Sequence, residues 1–223
     1  MPEPLVRIIR AGARANREVP GAVALGGTVC AMYARHRLSQ DIDFAVGDLR
    51  ERFDQVREHL RAVDGWTESS ARPPVLILGA LDGVEIGFRQ LRRATPLETL
   101  TVQTDAGPMI VPTLDELLRI KAFLAYDRNV LRDFVDFAEL SVLLPDAAVV
   151  DALADLDARF SSEKQPSVIV GVLKALLHPE PADQDSEAFG TFRWLEPRLK
   201  SWSAVEARCR SVGEQLSLRV LEK

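Results

Sequence analysis

Residues 22–44, AVALGGTVCAMYARHRLSQDIDF, constrain the fold more than any other stretch of the chain. AVALGG reads as a short buried strand running into a glycine turn, and TVCAMYARHR as a helix over about residues 28–37. SQDIDFAVGD then alternates polar and apolar residues at Asp41, Ile42, Asp43 and Phe44, the period of a half-buried strand. Strand, glycine turn, helix and strand in that order bring the turn and the second strand together at one end of a sheet.

Successive strand side chains point to opposite faces, so Asp41 and Asp43 share one. Both carboxylates project from one edge of the sheet, close enough to hold one or two hard cations through oxygen. Mg²⁺ is bound in this way, by one or two carboxylates with substrate phosphates completing the shell. Ile42 and Phe44 face the core and fix the strand. The competing reading is an edge strand whose solvent face happens to be acidic. Upstream, Gly26 and Gly27 let the backbone approach a phosphate closely, and the following helix N-terminus offers free N–H groups. Thr28 is placed to cap that helix and to hydrogen-bond a phosphate oxygen.

Elsewhere, residues 5–18 read as an amphipathic helix ended by Pro20-Gly21, and residues 49–63 as a charged one closed by Asp64-Gly65. PVLILGA and VEIGFRQ around Asp82-Gly83 form a hairpin pattern, and TLTVQT with MIVP a second. Thr113-Leu114-Asp115-Glu116 matches a capping box and starts a helix at Leu114. Further helices are expected over residues 129–144, 147–160, 166–177 and 203–220, with a loose polar stretch, HPEPADQDSE, at 178–187. The reading is α+β: an α/β domain over residues 1–110 and a helical domain over 111–223.

On the helix from Leu114 the apolar stripe runs Leu114, Leu117, Leu118, Lys121, Leu124 and Ala125. Lys121 therefore faces the core, where an ammonium needs a buried carboxylate or the phosphates of a nucleotide. It could also snorkel from the rim of the stripe. The next helix is apolar over most of its surface, and Arg132, Asp133, Asp136 and Glu139 form one polar stripe that faces solvent or a cleft.

Composition excludes several alternatives. Cys30 and Cys209 lie far apart and the three histidines are scattered, which disfavours zinc and a disulfide framework. A net charge of −5 argues against a surface coated for nucleic acid, leaving two local basic candidates, Arg35-His36-Arg37 and Arg89 with Arg92-Arg93. No apolar run approaches the roughly 20 residues that span a bilayer, and the first residues lack a secretory pattern, so a cytoplasmic location is expected. There is no GxxxxGK[ST] loop and no GxSxG turn.

LGGTVCAMYARHRLSQDIDF resembles the signature of the AbiEii/AbiGii toxin family of nucleotidyltransferases: GGT, a helix, then hRxSxDxDF. VPTLDELLRIKAFLAYDRNVLRDFVDFAEL is similar to that family's second block, a helix bearing Lys followed by RDxxD. The resemblance implies a polymerase-β-like nucleotidyltransferase core, a mixed sheet with flanking helices, followed by a helical C-terminal domain. It implies Mg²⁺- or Mn²⁺-dependent transfer of an NMP from an NTP to a tRNA or protein acceptor, by a toxin with a cognate antitoxin. Lys121, Arg132, Asp133 and Asp136 would then lie near the nucleotide. Arg37 and Ser39 would brace the DxD strand or touch phosphate. The family fold usually supplies a third carboxylate, where this chain has Gly87. Glu85, on the same strand face, replaces it as catalytic group and metal ligand, or the site is degenerate and binds nucleotide or a partner without turnover.

Overall fold

In the computed structural model, which describes residues 1–93, 95–164, 166–184 and 188–221, the alternating segments assemble into a five-stranded sheet. The elements are α1 (Glu3–Glu18), β1 (Val23–Leu25), α2 (Gly26–Ala34), β2 (Asp41–Val46), α3 (Phe53–Ala62), β3 (Trp66–Arg72), β4 (Leu76–Leu81) and β5 (Val84–Gln90). They continue as β6 (Thr99–Thr104), β7 (Gly107–Pro112), α4 (Leu114–Asp127), α5 (Leu131–Ser141), α6 (Asp146–Leu153), α7 (Leu156–Arg159), α8 (Val168–Leu177) and α9 (Trp202–Leu221). The fold is mixed α+β with a helical C-terminal region. The chain divides into two compact units, residues 1–32 with 38–113 and residues 33–37 with 114–223.

In the first unit the sheet order is β1-β2-β5-β4-β3, with β2 and β5 parallel and the other pairs antiparallel. Ile42, Phe44 and Val46 of β2 are buried, as are Ile86 and Phe88 of β5. Phe44 lies opposite Phe88 in register, and their rings stack with centroids 5.2 Å apart. The Asp82-Gly83 turn of the β4–β5 hairpin has positive φ at both residues, which matches the twist of the strands it joins. A row of arginines on α1 fastens the loops: Arg7 donates to Asp82 O (3.1 Å), Arg14 to Asp64 O (2.6 Å) and Arg17 to Ala106 O (2.9 Å). Buried Asn16 joins α1 to the strands, donating to Ala22 O and accepting from Ile110 N, both at 2.7 Å.

The second unit is helical, with α4 packed on α5, α6 and α8, and α9 on α5, α6 and α8. Arg208 of α9 donates to Ser141 Oγ and Asp146 Oδ1, and buried Glu139 accepts the backbone N–H groups of Arg198 and Leu199.

Several boundaries differ from the sequence reading. The expected helix at 28–37 is α2, which begins two residues earlier at Gly26 and ends at Ala34. The segment expected as one helix at 147–160 is split into α6 and α7. Strand β3 was not anticipated at all. Residues 185–187 of the loose polar stretch lie outside the described residues.

Candidate functional site

In the first unit the acidic pair stands where strand alternation requires. Asp41 is exposed and Asp43 half-buried, on the face of β2 opposite Ile42 and Phe44. Ser39 Oγ donates to Asp41 Oδ1 at 2.8 Å, which orients that carboxylate. Thr28 Oγ1 donates to the Asp41 backbone carbonyl at 2.6 Å. Thr28 is fully buried inside the first turn of α2, so it is neither the helix cap nor a hydroxyl turned toward phosphate; the early start of α2 is the reason. Gly26 opens the helix with φ +84°, a conformation that L side chains rarely adopt. A Cβ there would stand 4.0 Å from Asp43 Oδ2, so this turn runs directly beside the second carboxylate.

The neighbouring strand β5 is in parallel register, Asp41 opposite Glu85 and Asp43 opposite Gly87. Glu85 is exposed beside Asp41. A Cβ at position 87 would collide with Asp43 Oδ1, so the glycine makes room for that carboxylate. Arg89, two residues further on the same face, reaches Asp43 Oδ1 with its Nε at 3.2 Å.

The second unit contains a buried charge cluster. Asp136, with no exposed side-chain surface, accepts Arg37 Nε on Oδ1 (2.7 Å) and Nη2 on Oδ2 (2.8 Å). His36 Nε2 lies 2.7 Å from Oδ1. Lys121 Nζ bridges Asp133 Oδ1 (2.7 Å) and Asp136 Oδ2 (2.8 Å) and is only 5% exposed. Burial alone would push the Asp136 carboxyl up, yet Arg37, Lys121 and His36 hold it well below the usual carboxylate range. One guanidinium, of Arg37, and one ammonium, of Lys121, stand against the two carboxylates.

This cluster brings together Arg37, Lys121, Asp133 and Asp136, and adds His36, which the sequence suggests only as part of a local basic patch. Arg132 is not part of it. It points to solvent, and the guanidinium on Asp136 comes from Arg37 instead. Burial of His36 and Arg37 also removes Arg35-His36-Arg37 as a surface basic patch. Nothing local in the sequence links Arg37 to Asp136, 99 positions away.

The donor set around β2 fits a hard divalent cation. It offers carboxylate oxygens on one strand face, open to solvent, and a guanidinium already lies against Asp43 as a stand-in positive charge. Among the described residues no three His, Cys, Asp or Glu side chains converge on one point, so Asp41, Asp43 and Glu85 do not form a closed three-ligand cage.

No family model matches the chain. Over 128 residues, 55% of this chain, it is 32% identical to the mycolic acid-containing lipids exporter MmpL11 of Mycolicibacterium smegmatis, and over 127 residues 30% identical to the probable transport protein MmpL11 of Mycobacterium leprae. The matches cover 13% and 12% of those proteins, so the chain spans a small part of the curated relatives' length. Among its described residues no helix is long and apolar enough to cross a membrane.

Solved structures are similar over far more of the chain. The nucleotidyltransferase toxin MenT4 of Mycobacterium tuberculosis H37Rv superposes with a TM-score of 0.61 at 17% identity, covering 96% of this chain and 82% of that one. An antigenic nucleotidyltransferase-like protein from Paracoccidioides brasiliensis gives 0.50 at 14% identity, covering 76% and 92%. ANT(2'')-Ia in complex with adenylyl-2''-tobramycin gives 0.50 at 12% identity, covering 69% and 97%. This chain therefore shares the fold of these nucleotidyltransferases and nucleotidyltransferase-like proteins.

Proposed function

We propose that this chain is a Mg²⁺-dependent nucleotidyltransferase that moves an NMP from an NTP to an RNA, tRNA above all, or to a protein acceptor. The observation that carries this reading is the pair Asp41 and Asp43 on one face of β2, beside the Gly26 turn that opens α2. A divalent ion held by the two carboxylates, Mg²⁺ or Mn²⁺, would neutralise triphosphate charge and lower the pKa of an acceptor hydroxyl. The free N–H groups of Gly27 and the first turn of α2 hold the outgoing phosphates. Ser39 keeps Asp41 in one orientation, and Glu85, exposed opposite Asp41, would take the acceptor proton. The motif resemblance supports the finer reading of an AbiEii-type toxin that acts in the cytoplasm and is restrained by a cognate antitoxin; the MenT4 likeness supports only the coarser reading of a nucleotidyltransferase-fold toxin.

One observation favours a second reading, a catalytically degenerate member that binds nucleotide or a partner without turnover. Gly87 leaves no carboxylate opposite Asp43, and Arg89 lies there instead. Incubation with each α-labelled NTP, Mg²⁺ and tRNA or lysate separates the two. Transfer of label is expected, with losses of about a hundredfold or more in Asp41→Asn, Asp43→Asn and Glu85→Gln. Nucleotide binding without transfer supports the degenerate reading. Undiminished transfer in both aspartate variants would remove the metal assignment.

A further inference from the structure

The nucleotidyl-transfer reading above gives Arg89 no task, yet Arg89 makes the only charged contact described for Asp43. Its position follows from register. On β5, Gly87 and Arg89 point to the face that carries Asp43 on β2, and Gly87 stands directly opposite Asp43. Because position 87 has no side chain, Asp43 Oδ1 settles over the glycine backbone, where Arg89 Nε meets it at 3.2 Å. The pair is not structural glue: the Arg89 side chain is 51% exposed and that of Asp43 34%. Ion pairs this open contribute little to stability, so the guanidinium can leave Asp43 at small cost.

A divalent cation on the same carboxylate would repel that guanidinium. A triphosphate presents several anionic oxygens, which a planar guanidinium binds in pairs and more strongly than it binds one carboxylate. We infer that Arg89 is a phosphate-binding residue for the nucleoside triphosphate, and that it competes with the metal for Asp43 until nucleotide draws it away. The inference rests on the nucleotidyl-transfer reading. It makes metal and nucleotide binding positively coupled: nucleotide removes a positive charge from the metal's carboxylate, and by linkage the metal strengthens nucleotide binding by the same factor.

Two titrations of the full chain test this, neither of them an activity assay. Mn²⁺ alone is followed by electron paramagnetic resonance, and Mn²⁺ with a non-hydrolysable NTP by calorimetry. Arg89→Gln should bind Mn²⁺ alone roughly tenfold more tightly, the scale of removing one charge about 5 Å from a divalent ion at the surface. It should bind the NTP with Mn²⁺ about tenfold or more weakly, the scale of a lost charged hydrogen bond. Arg89→Lys, which keeps the charge without the planar fork, should recover part of the nucleotide affinity, and it stands in for the first variant if that fails to fold. A merely structural arginine would move the melting temperature and leave both affinities alone. Unchanged nucleotide affinity in Arg89→Gln, or unchanged Mn²⁺ affinity, overturns the assignment of Arg89. A wild-type chain that binds no NTP with Mn²⁺ overturns the transfer reading and this inference together.

Discussion

Lys121 carries a charge that its neighbours need as much as it needs them. Its ammonium is the sole partner described for Asp133, whose Oδ2 is buried without a hydrogen bond. Asp136 by contrast keeps Arg37 and His36 if the lysine is lost. Lys121→Met should therefore destabilise the protein by about 3–5 kcal/mol, because it strands a buried carboxylate. Adding Asp133→Asn should recover much of that loss. Urea denaturation of the two variants checks this, and a single variant as stable as wild type would mean that Asp133 reaches water. Melting with and without Mn²⁺ and an NTP asks a separate question: a lost ligand-induced shift in the double variant assigns Lys121 to phosphate, an intact one to structure only. The stripe on α4 made the inward position of Lys121 legible, since helical period alone sets it. The partner set was legible only as far as Asp133 and Asp136. The guanidinium and imidazole come from 99 and 100 residues away, and no local pattern encodes such a meeting.

Elements were legible where burial imposes a period and obscure where a distant side chain decides. Strand β2 declared itself by alternation, and the β4–β5 hairpin by Asp-Gly. Strand β3, WTESSAR, has too few apolar residues to alternate; it is an edge strand held by pairing to β4 and by charge. Glu68 on β3 accepts Arg57 Nη2 and Arg61 Nη2 from α3, each at 2.7 Å. The split between α6 and α7 has a similar origin: Arg119 of α4 donates to the Ala152 carbonyl at 2.8 Å, taking an acceptor near the end of α6. The Arg57 hydrogen bond, with help from Arg61, lowers the Glu68 carboxyl to about 2. A depressed carboxylate contributes stability that is complete above its unfolded value and is lost as pH falls through the folded one. Glu68→Gln should thus cost about 1 kcal/mol at pH 7, given its partly exposed partners. That difference should shrink to nothing between the ordinary value of 4.5 and about 2. Parallel stability–pH curves for the two proteins across this window would show that the pair contributes nothing.

At the scale of the molecule, each unit holds one buried thiol, Cys30 in the first and Cys209 in the second. Burial pushes the Cys209 thiol up to about 12, so it is inert while its unit is folded. In single-cysteine variants, a thiol reagent added along a urea series should label both sites at one midpoint. The reason is that α2 runs through the boundary, with residues 26–32 in one unit and 33–34 in the other, so neither unit unfolds without disturbing that helix. Two separate midpoints would show independent units. The brief passage of residues 33–37 into the second unit has a consequence for how the protein is made. At about 5–20 residues per second, a ribosome releases His36 and Arg37 on the order of 5–20 s before Asp136 emerges to meet them. A gene cut after codon 113 would put the cations in one fragment and their carboxylate in the other. The C-terminal half should then be insoluble when expressed alone and recover only in the company of its upstream fragment, so anyone dissecting this protein should carry residues 33–37 with the half that follows.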